Sequence, residues 1–197
     1  IPGLIEDGTT SMFKAFLYYD WRVNDYDLAR LLDIIQQNGG LVGVHCENAG
    51  TINYLVDKAV SEGKVEPKWH GPTRPESSEV EAVSRLLFIA EETGAPVFIV
   101  HISVGKVMEQ ILSARSRGVK VYGEGMPHYM CLDESEYLKP GYEPMKVVIT
   151  PPLRAKENQE TLWDGIRGGA INVMGSDHCA FPFKDKSRLY EEFGKKF

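Results

Sequence analysis

Apolar runs of strand length alternate along the chain with stretches whose apolar residues recur every three or four positions. Residues 12–19 form an aromatic-rich run that reads as a strand, and 25–37 follows with Leu28, Leu31, Leu32, Ile34 and Ile35 at helical spacing. Gly39-Gly40 closes that helix and opens a second strand over 41–46. The same pattern predicts helices over 49–62 and 76–92, then a strand over 97–102 after Gly94-Ala95-Pro96. A helix over 104–117, a strand over 119–123 and an irregular proline-rich section over 126–156 come next. A helix over 157–167 and a strand over 170–176 complete the series. Five strands alternating with helices imply a parallel sheet with right-handed crossovers. The runs Leu41-Val42-Gly43-Val44 and Val97-Phe98-Ile99-Val100 suit strands covered on both faces.

An open doubly wound sheet and a (β/α)8 barrel both satisfy this order. No glycine-rich phosphate loop follows a strand, which weakens the nucleotide-binding version. Side chains fit to bind a metal at the ends of several strands favour a barrel active site. The expected class is therefore α/β, a TIM-type barrel. Such barrels run to about 250 residues, whereas this chain has 197, begins Ile1-Pro2-Gly3 and stops at Lys195-Lys196-Phe197. The expectation is one partial barrel domain over 1–197, an internal portion carrying about strands 4 to 8.

Composition narrows the partners. Hydrophobic residues at 43% and charged residues at 25% are ordinary for a soluble globular protein. A net charge of −6 without a cluster of Lys and Arg argues against nucleic acid. No apolar run approaches the roughly 18 residues needed to cross a bilayer, so no membrane partner is expected, and no signal-peptide pattern is visible. Cys46, Cys131 and Cys179 are odd in number, widely spaced and outside any CxxC pattern. They predict neither a disulfide framework nor a thiolate zinc site, and fit a cytoplasmic setting.

The candidate chemistry sits where strands end. His45 and His101 each close an apolar run. One such histidine is usually a core residue bonded to a carbonyl, but two at equivalent strand ends, with Asp177 at a third, favour a metal site, and imidazole suits zinc. Asp177, in Gly175-Ser176-Asp177-His178, is able to bind a metal and shuttle a proton, or else to cap a helix. His178 fits either a supporting role behind that carboxylate or a plain loop position. Lys14 reads first as a snorkelling or ion-paired strand residue. Its alternative is an amine carboxylated by carbon dioxide, in effect a long carboxylate able to bridge two metals.

Taken together, Ser-Met-Phe-Lys-Ala-Phe-Leu-Tyr-Tyr (11–19), Val-His-Cys-Glu-Asn (44–48), Ile-Val-His-Ile-Ser (99–103), Thr-Pro-Pro-Leu-Arg (150–154) and Ser-Asp-His-Cys-Ala-Phe (176–181) resemble the cyclic amidohydrolases, in their dihydropyrimidinase and D-hydantoinase branch. Lys68-Trp69-His70 with Arg74-Pro75, and Gly125-Met126-Pro127-His128-Tyr129, support the likeness. The resemblance implies hydrolysis of a dihydropyrimidine or hydantoin ring to an N-carbamoyl amino acid by a binuclear zinc enzyme. Two zinc ions would be bridged by carboxylated Lys14, with His45 and His101 on one and Asp177 on the other. Asp177 would also act as general base and acid. Tyr19 would donate to the developing oxyanion, and Thr150 would stand where the cyclic amide is read. A homotetramer is the usual assembly of the family.

Against the family pattern, the first three strands, the terminal β-sandwich segments and the substrate-binding Asn segment expected beyond the final strand are missing from this chain. No His-x-His pair occurs, and all five histidines belong to other motifs. Weak or absent catalysis by these 197 residues alone is therefore expected. The alternatives are a non-catalytic dihydropyrimidinase-like scaffold protein and the sister enzymes dihydroorotase and allantoinase.

Overall fold

Five parallel strands lie side by side in the order of the sequence. In the computed structural model, which describes residues 1–192, they are β1 (Met12–Phe16), β2 (Leu41–His45), β3 (Val97–Ile102), β4 (Val121–Gly125) and β5 (Val173–Met174). The helices are α1 (Pro2–Glu6), α2 (Asp25–Asn38), α3 (Ala49–Ser61), α4 (Glu76–Thr93), α5 (Val107–Ser116), α6 (Pro127–Cys131), α7 (Glu157–Arg167) and α8 (Phe183–Glu192). A doubly wound sheet reverses its strand order at a switch point, and here the order never reverses. Helix α2 packs on α4, α4 on α5 and α5 on α7, so the crossover helices form one continuous layer. One helical layer outside a sheet in sequential order is an arc of a (β/α)8 barrel.

Local chemistry sets the helix limits. The Asn24 and Asn48 side chains accept from the Asp27 and Thr51 amides, capping α2 and α3. Gly39, at φ 72°, takes the left-handed turn that ends α2, where a Cβ would be strained.

Strand register sorts the side chains into two faces. Phe13, Val42, Val97 and Val121 form one cross-strand row, and Ala15, Val44, Ile99 and Gly123 the next. These rows meet Leu32, Leu86 and Ile111 of the helices in the core. Burying each large aliphatic side chain there contributes about 1.5–3 kcal/mol. The alternate positions carry Met12, Lys14 and Phe16, then Leu41, Gly43 and His45, then Phe98, then Tyr122 and Glu124. This second face is open, with Met12 and Tyr122 47% and 44% exposed. Functional side chains stand on its upper rim.

Several elements differ from the sequence expectation. Strand β1 stops at Phe16 because the chain turns inward, the Val23 amide bonding back to the Phe16 carbonyl. Strand β4 starts two residues later than expected because the Val119 amide is engaged by the Ala114 carbonyl as α5 unwinds. Strand β5 is reduced to two residues, since the Gly169 and Ala170 carbonyls are held by the Arg115 guanidinium. Short helices α1 and α6 and the C-terminal α8 lie in stretches without a clear apolar period. Among the described residues no helix is long and apolar enough to cross a membrane.

Candidate active site

Alternation along β2 brings His45 to the open face, opposite Phe16. The same alternation in β3 would send His101 into the helical layer beside Ile99. A bulge prevents this. Ile99 pairs with Gly123 but Ile102 pairs with Gly125, so β3 carries one extra residue between them. His101 sits within the bulge at φ 42°, and its side chain is re-aimed as bulges near active sites commonly do. The backbone amide that the bulge detaches from the ladder donates to Glu124 Oε2 at 3.0 Å. Gly175 lies against the Glu124 carboxylate, where a Cβ would collide with it.

The two imidazoles meet as a result. His45 Nδ1 lies 2.9 Å from His101 Nε2, and His45 Nε2 lies 2.8 Å from Glu47 Oε2. All three side chains are buried. Burial pushes the His101 pKa well below the ordinary value, aided by the neighbouring His45 and Lys14, so the ring is neutral and its lone pair available. Lys14 lies on the same open face, exposed, with Nζ 5.4 Å from the Phe16 ring centre.

Tyr19 and Thr150 both line one cavity at the rim. The Tyr19 ring stacks on Trp21 with centres 5.1 Å apart and lies 5.4 Å from that of His45. Burial and the charge of Glu47 raise its pKa, so the phenol keeps its proton at neutral pH and is able to donate. Behind it, Arg74 donates to the Tyr18 hydroxyl at 3.2 Å. A cavity of about 710 Å³ opens beside these residues, lined among others by Tyr19, His128, Thr150, Asp177 and His178. Burial lowers the His128 pKa, partly offset by the charge of Asp177.

The Thr150 loop is fixed from several sides. His70 Nε2 donates to the Ile149 carbonyl at 2.7 Å, and the Tyr129 hydroxyl to the Pro151 carbonyl at 2.6 Å. The Leu153 amide donates to the Tyr137 hydroxyl at 2.8 Å. Arg154 is buried and bonds Glu79 at 3.1 Å, Ser103 at 2.9 Å and the Arg74 carbonyl. Glu79 in turn accepts from the Ser103 amide at 2.9 Å and from its hydroxyl. One buried network thus joins the loop after β3 to the loop bearing Thr150.

The residues singled out from sequence fall into two groups. His45 and His101 converge, with Lys14 on the same face. Asp177 is exposed on the cavity wall with Tyr19 and Thr150. Among the described residues no three His, Cys, Asp or Glu side chains gather around one point. The histidine pair fits a zinc ion in donor type and nearly in spacing, since two nitrogens at tetrahedral zinc lie about 3.4 Å apart. A further feature links both groups: among the described residues, the non-glycine residues in the left-handed region are Tyr19, His101 and Asp177. Such backbone costs of order 1–3 kcal/mol per residue and concentrates at functional sites.

Sequence reasoning passed over Glu47 and Glu124. The first was legible, as a carboxylate two residues beyond His45 projects to the same side of an extended chain. Glu124 had a weaker signal, a carboxylate between two glycines at a strand end.

No family model matches the chain. It is 39% identical to a D-hydantoinase of Geobacillus stearothermophilus over 191 residues, covering 96% of this chain and 41% of the relative. A D-hydantoinase of Ralstonia pickettii is 40% identical over 179 residues, covering 90% and 39%. The crystal structure of dihydropyrimidinase from Brevibacillus agri superposes with a TM-score of 0.95 at 34% identity, covering all of this chain and 42% of that one. The chain thus spans about two fifths of the length of these relatives. In sequence and in fold it belongs to the D-hydantoinase and dihydropyrimidinase branch of the cyclic amidohydrolases.

Proposed function

We propose that the whole protein hydrolyses a cyclic amide, a dihydropyrimidine or hydantoin ring, to an N-carbamoyl amino acid. The observation that carries this reading is the left-handed backbone at Tyr19, His101 and Asp177, because strain gathered at one rim of a sheet concentrates at functional sites. His45 and His101, carboxylated Lys14 and Asp177 are the proposed holders of two zinc ions. Zinc bound there supplies Lewis-acid polarisation of the ring carbonyl and a water acidic near neutrality.

The chain's own side chains do the rest. Protonated Tyr19 donates to the carbonyl oxygen as it gains negative charge, a stabilisation that grows towards the transition state. Asp177 takes the proton of the attacking water and passes it to the departing ring nitrogen. Backbone groups at Thr150 read the ring amide, held there by His70, Tyr129 and Tyr137. The cavity walls exclude bulk water from one side of the ring. These 197 residues alone are proposed to turn over little or nothing, and a cytoplasmic homotetramer is the proposed setting of the whole protein.

The test is zinc content together with ring opening of hydantoin, dihydrouracil, dihydroorotate and allantoin by the full-length protein. Bound zinc with opening of hydantoin or dihydrouracil is expected. Absence of both would leave a non-catalytic scaffold, and preference for either of the last two rings would move the protein to a sister enzyme.

A further inference from the structure

Arg74 is buried, and among the described residues its guanidinium forms no ion pair with a carboxylate, unlike that of Arg154 with Glu79. A buried cation without a counter-ion costs stability, so no ion pair accounts for its place here. Its Nε bonds nothing, Nη1 donates to Thr73 Oγ1 at 3.2 Å, and Nη2 donates to the Tyr18 hydroxyl at 3.2 Å. A guanidinium has donors alone, so the direction of the Tyr18 contact is fixed. The Arg74 backbone is anchored as well: its amide donates to the Gly71 carbonyl at 2.9 Å, its carbonyl accepts from Arg154, and Pro75 starts α4. Tyr18 and Tyr19 are consecutive, and in a continuing strand their rings would stand on opposite faces. The left-handed backbone of Tyr19, at φ 72°, brings the rings together instead, with centres 4.6 Å apart. Tyr18 is thereby the nearest ring to Tyr19, ahead of Trp21 at 5.1 Å, His45 at 5.4 Å and Phe16 at 5.7 Å. Trp21 is 69% exposed and restrains little, whereas Tyr18 is half-buried with its hydroxyl tied.

We propose that Arg74 is a positioning residue for Tyr19, pinning the Tyr18 hydroxyl so that the Tyr18 ring fixes where the Tyr19 phenol stands. The inference rests on the proposed oxyanion role of Tyr19 and adds a support from outside the cavity, since neither Arg74 nor Tyr18 lines it. A donor has to be held close to the point where charge develops, and a displacement of about 1 Å costs on the order of 100-fold in rate. The Arg74 carbonyl also accepts from Arg154 on the Thr150 loop. One residue thus ties the turn that carries Tyr19 to the loop that carries Thr150.

In the full-length protein, Arg74→Met and Tyr18→Phe are each measured alone and combined with Tyr19→Phe. The expected result is a kcat about 10- to 100-fold lower with KM unchanged in either single variant. No further loss is expected where Tyr19→Phe is already present, because the two changes act through one group. An unchanged kcat, or a loss that multiplies with that of Tyr19→Phe, would overturn the proposal. A second readout needs no turnover: 19F spectra of the full 197-residue chain labelled with 3-fluorotyrosine, in which Tyr19 is the signal missing from Tyr19→Phe. Arg74→Met should move the Tyr19 signal, and a Tyr19 signal left in place would defeat the inference. Should Arg74→Met fail to fold by circular dichroism, Tyr18→Phe carries both readouts with the same outcomes, because it keeps the ring and removes only the hydroxyl. If the parent opens none of the rings while Arg74→Met still moves the Tyr19 signal, the positioning role of Arg74 stands and the proposed function alone falls.

Discussion

Acidification should loosen the Thr150 loop through a single imidazole. His70 is buried, and burial together with the adjacent Arg74 guanidinium lowers its pKa from 6.5 to about 3. The folded pKa lies below the unfolded one, so the unfolded chain binds the proton more tightly. Stability from this group is complete above pH 6.5 and drains away as pH falls towards 3. Each pH unit inside that window removes about 1.4 kcal/mol, so going from pH 7.5 to 5 should cost about 2 kcal/mol through His70. Replacing His70 with Gln keeps an N–H for the Ile149 carbonyl and removes the titration. Urea unfolding of parent and His70→Gln at both pH values reads the difference directly, through midpoints at unchanged slope. The parent's advantage over the variant should shrink by about 2 kcal/mol at the lower pH. An advantage equal at both values would refute the assignment of this acid sensitivity to His70.

Other perturbations have equally definite outcomes. Arg154→Met leaves the Glu79 carboxylate buried without its cation and should cost about 3–5 kcal/mol. Adding Glu79→Leu should restore part of that loss, and strictly additive losses in the double-mutant cycle would exclude a coupled pair. Gly175→Ala pushes the Glu124 carboxylate off the His101 amide, at about 1–3 kcal/mol. Faster hydrogen exchange at that amide is expected, and unchanged exchange would show that Glu124 does not hold it. In the full-length protein, Tyr19→Phe should lower kcat about 10²- to 10³-fold with zinc content unchanged, whereas an equal kcat would remove Tyr19 from the oxyanion role. Ile99→Ala, at a position in the middle of the sheet, should destabilise by about 2–5 kcal/mol, read as a lower melting temperature.

The sequence carried the sheet because burial on both sides leaves an unmistakable apolar run, as in Leu41-Val42-Gly43-Val44 and Val97-Phe98-Ile99-Val100. It carried the strand ends less well. Tyr19 looked like the last residue of a strand, whereas the strand ends at Phe16 and Tyr19 stands in a turn with left-handed backbone. Backbone of this kind leaves no mark in composition. The short β5 failed for another reason: its expected residues are mostly apolar, yet the guanidinium of Arg115, more than fifty residues away, claims the carbonyls at its start. Long-range polar capping of that sort overrides local propensity. His45 and His101 were visible as a pair, but their contact was not, since it depends on a one-residue bulge that no pattern of apolar residues encodes. The buried trio of Glu79, Ser103 and Arg154 was equally hidden, because each member looks like an ordinary surface residue until the loops are folded together.

That extra residue in β3 also determines which sequence changes the protein tolerates. Deleting Val100 would return Ile102 and Gly125 to the spacing of Ile99 and Gly123, giving a tidier ladder. It would also return the His101 amide to the ladder and leave the Glu124 carboxylate without it. A search for stabilised variants that rewards regular strands would therefore find this deletion attractive while discarding the bond between the His101 amide and Glu124. Length at this point in the chain, rather than the identity of any side chain, is what an engineer of this protein has to hold constant.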